Sequence, residues 1–288
     1  MVKNISLSNE ENKVSNYSKE EAGELGLANI ITLVNNSGWK FTKMCFLREI
    51  REDPTKISDK YKVLDIESRI YLDQCINIEL IAEAVSLSEL IGAYFLAFSR
   101  KKANIQKVLC KYKTKEIKDL YERIKDMDYN QISKLICYPS IDEFEPNSKK
   151  KIKHDLQKSS KNIKKTIFKI SSFYLNNLEF YNDFKHGFRI FPTTSSPPDS
   201  KTFGAIFRIH KGDIFNKILM CSQDLLKLKA DEAFTIANKI TKLLEILLPI
   251  YRERIIENKE NVKISLFNDI EEGVNNFPQE ETKNKNKK

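Results

Sequence analysis

The sequence predicts a mainly α protein: a multi-helix bundle with long helices and a small antiparallel β insert after residue 187. Three observations predict it. Glycine and proline are scarce, eight of each in 288 residues, while 31% of residues are charged, a composition that suits long helices over strands. The hydrophobic fraction of 41% is ample for a buried core. Two stretches, 65–100 and 151–186, carry apolar residues at helical spacing with no proline and only Gly92 as a glycine.

Taken in order, residues 1–17 are polar and read as a disordered tail, 18–260 as a single helical domain, and 261–288 as a disordered charged tail. Ser18-Lys19-Glu20-Glu21 has capping-box spacing ahead of Leu25, Ile30, Ile31 and Val34. Asn36-Ser37-Gly38 should break that helix, with a second from Trp39 to Arg51 ended by Pro54. Residues 65–100 are apolar around most of a helical circumference and should form a central, buried helix. Its Glu79 and Glu83 share a face. Exposed, the pair signifies nothing; buried, it needs cations, and Lys185 or Arg189 would be natural partners. Residues 101–135 read as one or two helices and 137–147, holding Pro139 and Pro146, as a loop. After Gly187, the short runs Phe188–Phe191, Phe203–Ile209 and Phe215–Cys221 alternate like strands, which places the β insert at about 188–222. It is too short to bury a core and must lean on the helices. Helical spacing returns from Asp224 to about Asn258, with Pro249 as a kink point.

The composition also excludes. Met1 to Tyr17 lacks the apolar core of a signal peptide, and Glu79, Glu83 and Glu89 interrupt the most apolar stretch, so no membrane segment is expected. Five scattered cysteines without a CxxC pair read as reduced thiols of a cytoplasmic protein. Three histidines, none at ligand spacing from a cysteine, give no metal and no cofactor.

The net charge of +9 is concentrated. Ser148 to Ile170 holds nine lysines against one acid, Asp155. Such a block attracts RNA or another polyanion, with Lys158, Lys161 and Lys165 as the contact residues. It carries no arginine and little aromatic interleaving, and a merely solvated lysine face is the rival reading.

At the far end of the same stretch stands Tyr181-Asn182-Asp183-Phe184-Lys185-His186, closed by Gly187. Asn182 and His186 are four apart and share a helix face, with Lys185 on its edge. The set suits a phosphodiester: Lys185 for charge, Asn182 for orientation and His186 to move a proton, since imidazole titrates at ~6.5. The rival reading is a structural helix end, with Gly187 beyond the last turn and Tyr181 and Phe184 in the core.

The string Tyr181-Asn182-x-x-Lys185-His186-Gly187 resembles the signature region of HEPN-type proteins, helical domains of RNA-cutting toxins, defence systems and nucleotide-binding companions. The resemblance implies a metal-independent ribonuclease of a defence or toxin-type system, acting through the RNA 2′-hydroxyl with a composite site across a homodimer. Asn182 matches the polar position and His186 the histidine. Tyr181 stands where active members carry arginine, and Lys185 and Arg189 are the cations that would replace it. The alternative is a non-catalytic helical module that binds nucleic acid, nucleotide or a partner protein.

Overall fold

The computed structural model describes the backbone at residues 19–56, 63–99, 108, 111–139, 146–185, 190–193, 205–209, 218–253 and 266–267. Among these residues six helices form the body: α1 (Lys19–Glu52), α2 (Ile66–Ser99), α3 (Thr114–Ile124), α4 (Tyr129–Leu135), α5 (Pro146–Lys185) and α6 (Gln223–Tyr251). A 3-10 turn at Pro54–Lys56 follows α1. The helical bundle expected from the composition is present.

α2 is its axis. From Ile76 to Phe98 nearly all of its side chains are buried, including Leu80, Ile81, Leu87, Ile91, Tyr94 and Phe95. It packs against α1, α3, α4, α5 and α6. By length and composition α2 could cross a membrane, yet 83% of its most apolar window is covered by the protein itself. Each such Leu, Ile or Phe contributes about 1.5–3 kcal/mol by leaving water. Gly92 lets α3 approach: a Cβ there would stand 2.7 Å from Ile117 Cγ2 and 2.9 Å from Tyr121 Cζ and Oη.

Local signals set several ends. Asp128 caps α4 reciprocally with Gln131, accepting its backbone N–H at 2.7 Å while the Gln131 side chain accepts from the Asp128 backbone at 2.8 Å. Ser222 Oγ accepts from the Leu225 N–H at 3.3 Å to start α6. The break expected at Asn36-Ser37-Gly38 does not occur, and α1 runs through it. One glycine costs a helix only about 1 kcal/mol, and the helix is anchored beyond it. Met44 is fully buried, and Arg51 binds Asp231 of α6 at 2.5 Å and Asn77 of α2 at 3.1 Å.

The second half of the predicted fold class is corrected. Helix makes up 89% of the part on which the fold rests, and that part contains no strand, so a β insert is not part of the architecture. Beyond it, only short backbone pieces run extended: β1 (Ile190–Thr193), β2 (Ala205–Ile209) and β3 (Ile218–Ser222), antiparallel in that order. Pro192 lies opposite Ile206 and Phe207 opposite Met220. The connections 194–204 and 210–217 lie outside the described residues. The physical reason is length. Alternating runs of four or five residues favour extended backbone, but so short a piece supplies no apolar layer of its own.

Candidate functional site

α5 is 40 residues long, and its two ends pose different chemistry. Toward its start, Leu156, Ser159, Ile163, Thr166, Ile167 and Ile170 are buried, which turns the intervening lysines outward. Lys158, Lys161 and Lys165 are exposed, as the spacing predicts, and lie three and four residues apart on one face. Two exposed rings lie along one edge of this face. Phe168 belongs to α5 and is 43% exposed, while Tyr129, at 46%, is the first residue of α4. The Lys164 ammonium lies 5.2 Å from the Tyr129 ring centroid and donates to the Met127 carbonyl at 2.5 Å. The fold thus brings an aromatic ring alongside the lysine block that the local sequence does not supply.

At the other end Tyr181 and Asp183 are buried, Asn182 and Phe184 half-buried, and Lys185 exposed. Two of the four residues expected to carry chemistry, His186 and Arg189, lie outside the described residues. The other two are placed as follows. Asn182 sits on the last turn of α5, three residues before Lys185. Lys185 turns back onto the bundle: its ammonium is 3.3 Å from Glu89 Oε2 and 4.2 Å from the centroid of the Tyr181 ring. The ring four residues earlier therefore offers the lysine a cation–π platform.

Glu89 is the residue that sequence reasoning missed. It projects from α2 with its side chain 6% exposed. Its other oxygen accepts from Thr114 Oγ1, at the first residue of α3, at 3.1 Å. Four tyrosines gather around this carboxylate. Burial, followed by the charge of Glu89, pushes the Tyr112 phenol up to about 12. Burial raises Tyr174 further, again with Glu89 contributing. Tyr121 is raised by burial, by Tyr174 and by Glu89, and it donates to the Ser88 carbonyl at 2.5 Å. The Tyr121 and Tyr174 rings stand 5.1 Å apart. Tyr181 completes the ring set beneath Lys185. Tyr112, Tyr121 and Tyr174 thus keep their protons near neutrality, and the tip of α5 is locked to α2 and α3 through one buried anion. The signal in the sequence was a glutamate between Leu87, Leu90 and Ile91 of a core helix, which demands a partner.

Glu79 and Glu83 do not approach this centre. Lys43 of α1 binds both, at 2.7 Å to Glu83, and Lys40 binds Glu83 at 3.0 Å. Burial alone would raise the Glu83 carboxyl, but Lys43 and Lys40 outweigh it and hold it below the usual carboxylate range. Among the described residues, no group of three or more His, Cys, Asp or Glu side chains gathers at metal-binding geometry.

Fold and site together define a basic helical bundle with an exposed lysine face and a buried carboxylate locking one helix tip. No family model, no curated protein and no solved structure matches the chain.

Proposed function

We propose that the protein is an RNA-directed module of the HEPN kind, a metal-independent ribonuclease in which α5 both receives the strand and ends on the reacting groups. One observation carries the binding half: Lys158, Lys161 and Lys165 stand exposed on one face of α5, and Phe168 of the same helix and Tyr129, which Lys164 meets, are exposed rings. That arrangement suits a single strand, with ammonium groups along the phosphates and rings available for base stacking. The cleaving half rests on the motif. His186 takes the proton of a 2′-hydroxyl as that oxygen bonds to the adjacent phosphorus, the phosphorus–5′-oxygen bond breaks to leave a 2′,3′-cyclic phosphate, and the departing 5′-oxygen takes a proton from water. Asn182 orients the phosphate or the imidazole, and Lys185 and Arg189 offset the charge that develops. Glu89 holds the Lys185 ammonium at the tip.

The test is incubation of the purified protein with labelled single-stranded RNA in excess chelator. Fragments ending in 2′,3′-cyclic phosphate are expected, absent with 2′-deoxy substrate and lost in His186→Ala. The geometry also favours a second reading, the non-catalytic module, because Lys185 is already neutralised by Glu89 and seated on Tyr181. Salt-sensitive RNA binding with the same background cleavage in wild type and His186→Ala would assign the protein to that reading.

A further inference from the structure

The lysine face and the motif share α5 but lie far apart on it. Lys165, the member of that face nearest the tip, stands 20 residues before Lys185, which at ~1.5 Å per residue is about 30 Å. At the tip itself Glu89 offsets the Lys185 charge. A strand held there needs other cations, and the fold brings three of them to the place. The segment that enters α3 is tied to the same carboxylate: Thr114 Oγ1 donates to Glu89 at 3.1 Å, on the oxygen that Lys185 does not use.

Residues Lys111-Tyr112-Lys113-Thr114-Lys115 alternate, and the fold turns the alternation into two sides. The backbone at Lys113 is extended, with φ −106° and ψ 142°, and successive residues of extended chain point opposite ways. Tyr112 and Thr114 are half-buried, the first packed against the hydrophobic core and the second bound to Glu89. Lys111, Lys113 and Lys115 are all exposed. The next acid, Glu116, turns back to accept the Lys113 backbone N–H at 2.9 Å, and the next lysine, Lys118, pairs with Glu122 at 3.8 Å. Among the described residues Lys111, Lys113 and Lys115 have no such partner. We propose that these three lysines form a second phosphate-binding strip, which holds a single strand of RNA at the tip of α5. The strip rests on the reading of the protein as RNA-directed, but it does not depend on the lysine face, because the two sets neutralise different phosphates of one strand. Each phosphate contact contributes about 0.7 to the slope of log affinity against log salt concentration, so the strip as a whole contributes about 2.

Anisotropy of a labelled 20-nucleotide uridine RNA, measured across a series of salt concentrations, tests this on the full chain. Wild type is compared with the combined variant Lys111→Gln, Lys113→Gln, Lys115→Gln. A second variant carries arginine at the same three positions and keeps their charge. A control, Lys227→Gln with Lys242→Gln, removes charge from α6 instead. The slope should become shallower by about 2 in the glutamine variant, return to the wild-type value in the arginine variant, and change by less than about 0.5 in the control. A glutamine variant that keeps the wild-type slope overturns the strip and leaves the lysine face as the RNA site. An arginine variant that fails to restore the slope, or a control that loses as much for each charge removed, also overturns it. If wild type binds no RNA at all, the RNA reading falls and the strip falls with it.

Discussion

Replacing Gly92 by alanine should destabilise the protein, while the same replacement at Gly38 should stabilise it. Both glycines lie inside long helices, α2 and α1, so backbone propensity favours alanine by about 1 kcal/mol at each. Their surroundings differ. Nothing lies within 4 Å of a Cβ built at Gly38, and the expected gain there is about 0.5–1 kcal/mol. At Gly92 the new methyl meets Ile117 Cγ2 at 2.7 Å and the Tyr121 ring at 2.9 Å. Both would have to retreat by more than half an ångström to regain ordinary contact. Ile117 is fully buried, and Tyr121 is held by its bond to the Ser88 carbonyl and by the Tyr174 ring. Overpacking of this kind costs about 1–3 kcal/mol, and a displaced Tyr121 hydroxyl adds about 1 kcal/mol. The net expectation is a loss of about 1–3 kcal/mol after the propensity gain. Urea denaturation followed by helical circular dichroism measures both variants. A Gly92→Ala protein as stable as Gly38→Ala would refute the close approach of α3 to α2, and with it the cage around Glu89.

Two further predictions concern charge. Glu89→Ala removes the acceptor of the half-buried Thr114 hydroxyl and the partner of the Lys185 ammonium and should cost about 1–3 kcal/mol. Lys185→Ala should cost about 1 kcal/mol, because the lysine side chain is 44% exposed and screened; a double-mutant cycle should give a coupling of about 0.5–1 kcal/mol, and strict additivity would deny the contact any energetic role. Glu83 is the second case. Its folded pKa is depressed, so its contribution is complete above the ordinary carboxylate value and is lost as pH falls through the lowered one. The stability advantage of wild type over Glu83→Gln should therefore be largest near pH 7 and shrink as pH falls from about 5 toward 3; an advantage that grows on acidification would contradict the pairing with Lys40 and Lys43.

The helices were legible because their cause is periodic and local. Residues 65–100 and 151–186 announce α2 and α5 through spacing alone, and the outward turn of Lys158, Lys161 and Lys165 follows from the same period. What was illegible depends on partners distant in sequence. Gly38 sits in a three-residue pattern that reads as a break, yet contacts made by Met44 and Arg51 carry the helix through. Alternation after Gly187 reads as a β insert, because alternation reports extended backbone and says nothing about whether a layer can form. Glu89 meets Lys185 across 96 residues, and no local pattern could pair them. Tyr181 read as a missing arginine; in the fold its ring supports the Lys185 ammonium.

The central claim, that the lysine face of α5 holds an RNA strand, is tested most directly by the salt dependence of binding. Each phosphate contact on a single strand contributes about 0.7 to the slope of log affinity against log salt concentration. Neutralising Lys158, Lys161 and Lys165 together as glutamine should make that slope shallower by about 2, with the helical content unchanged. A slope identical to that of the wild type would contradict the account.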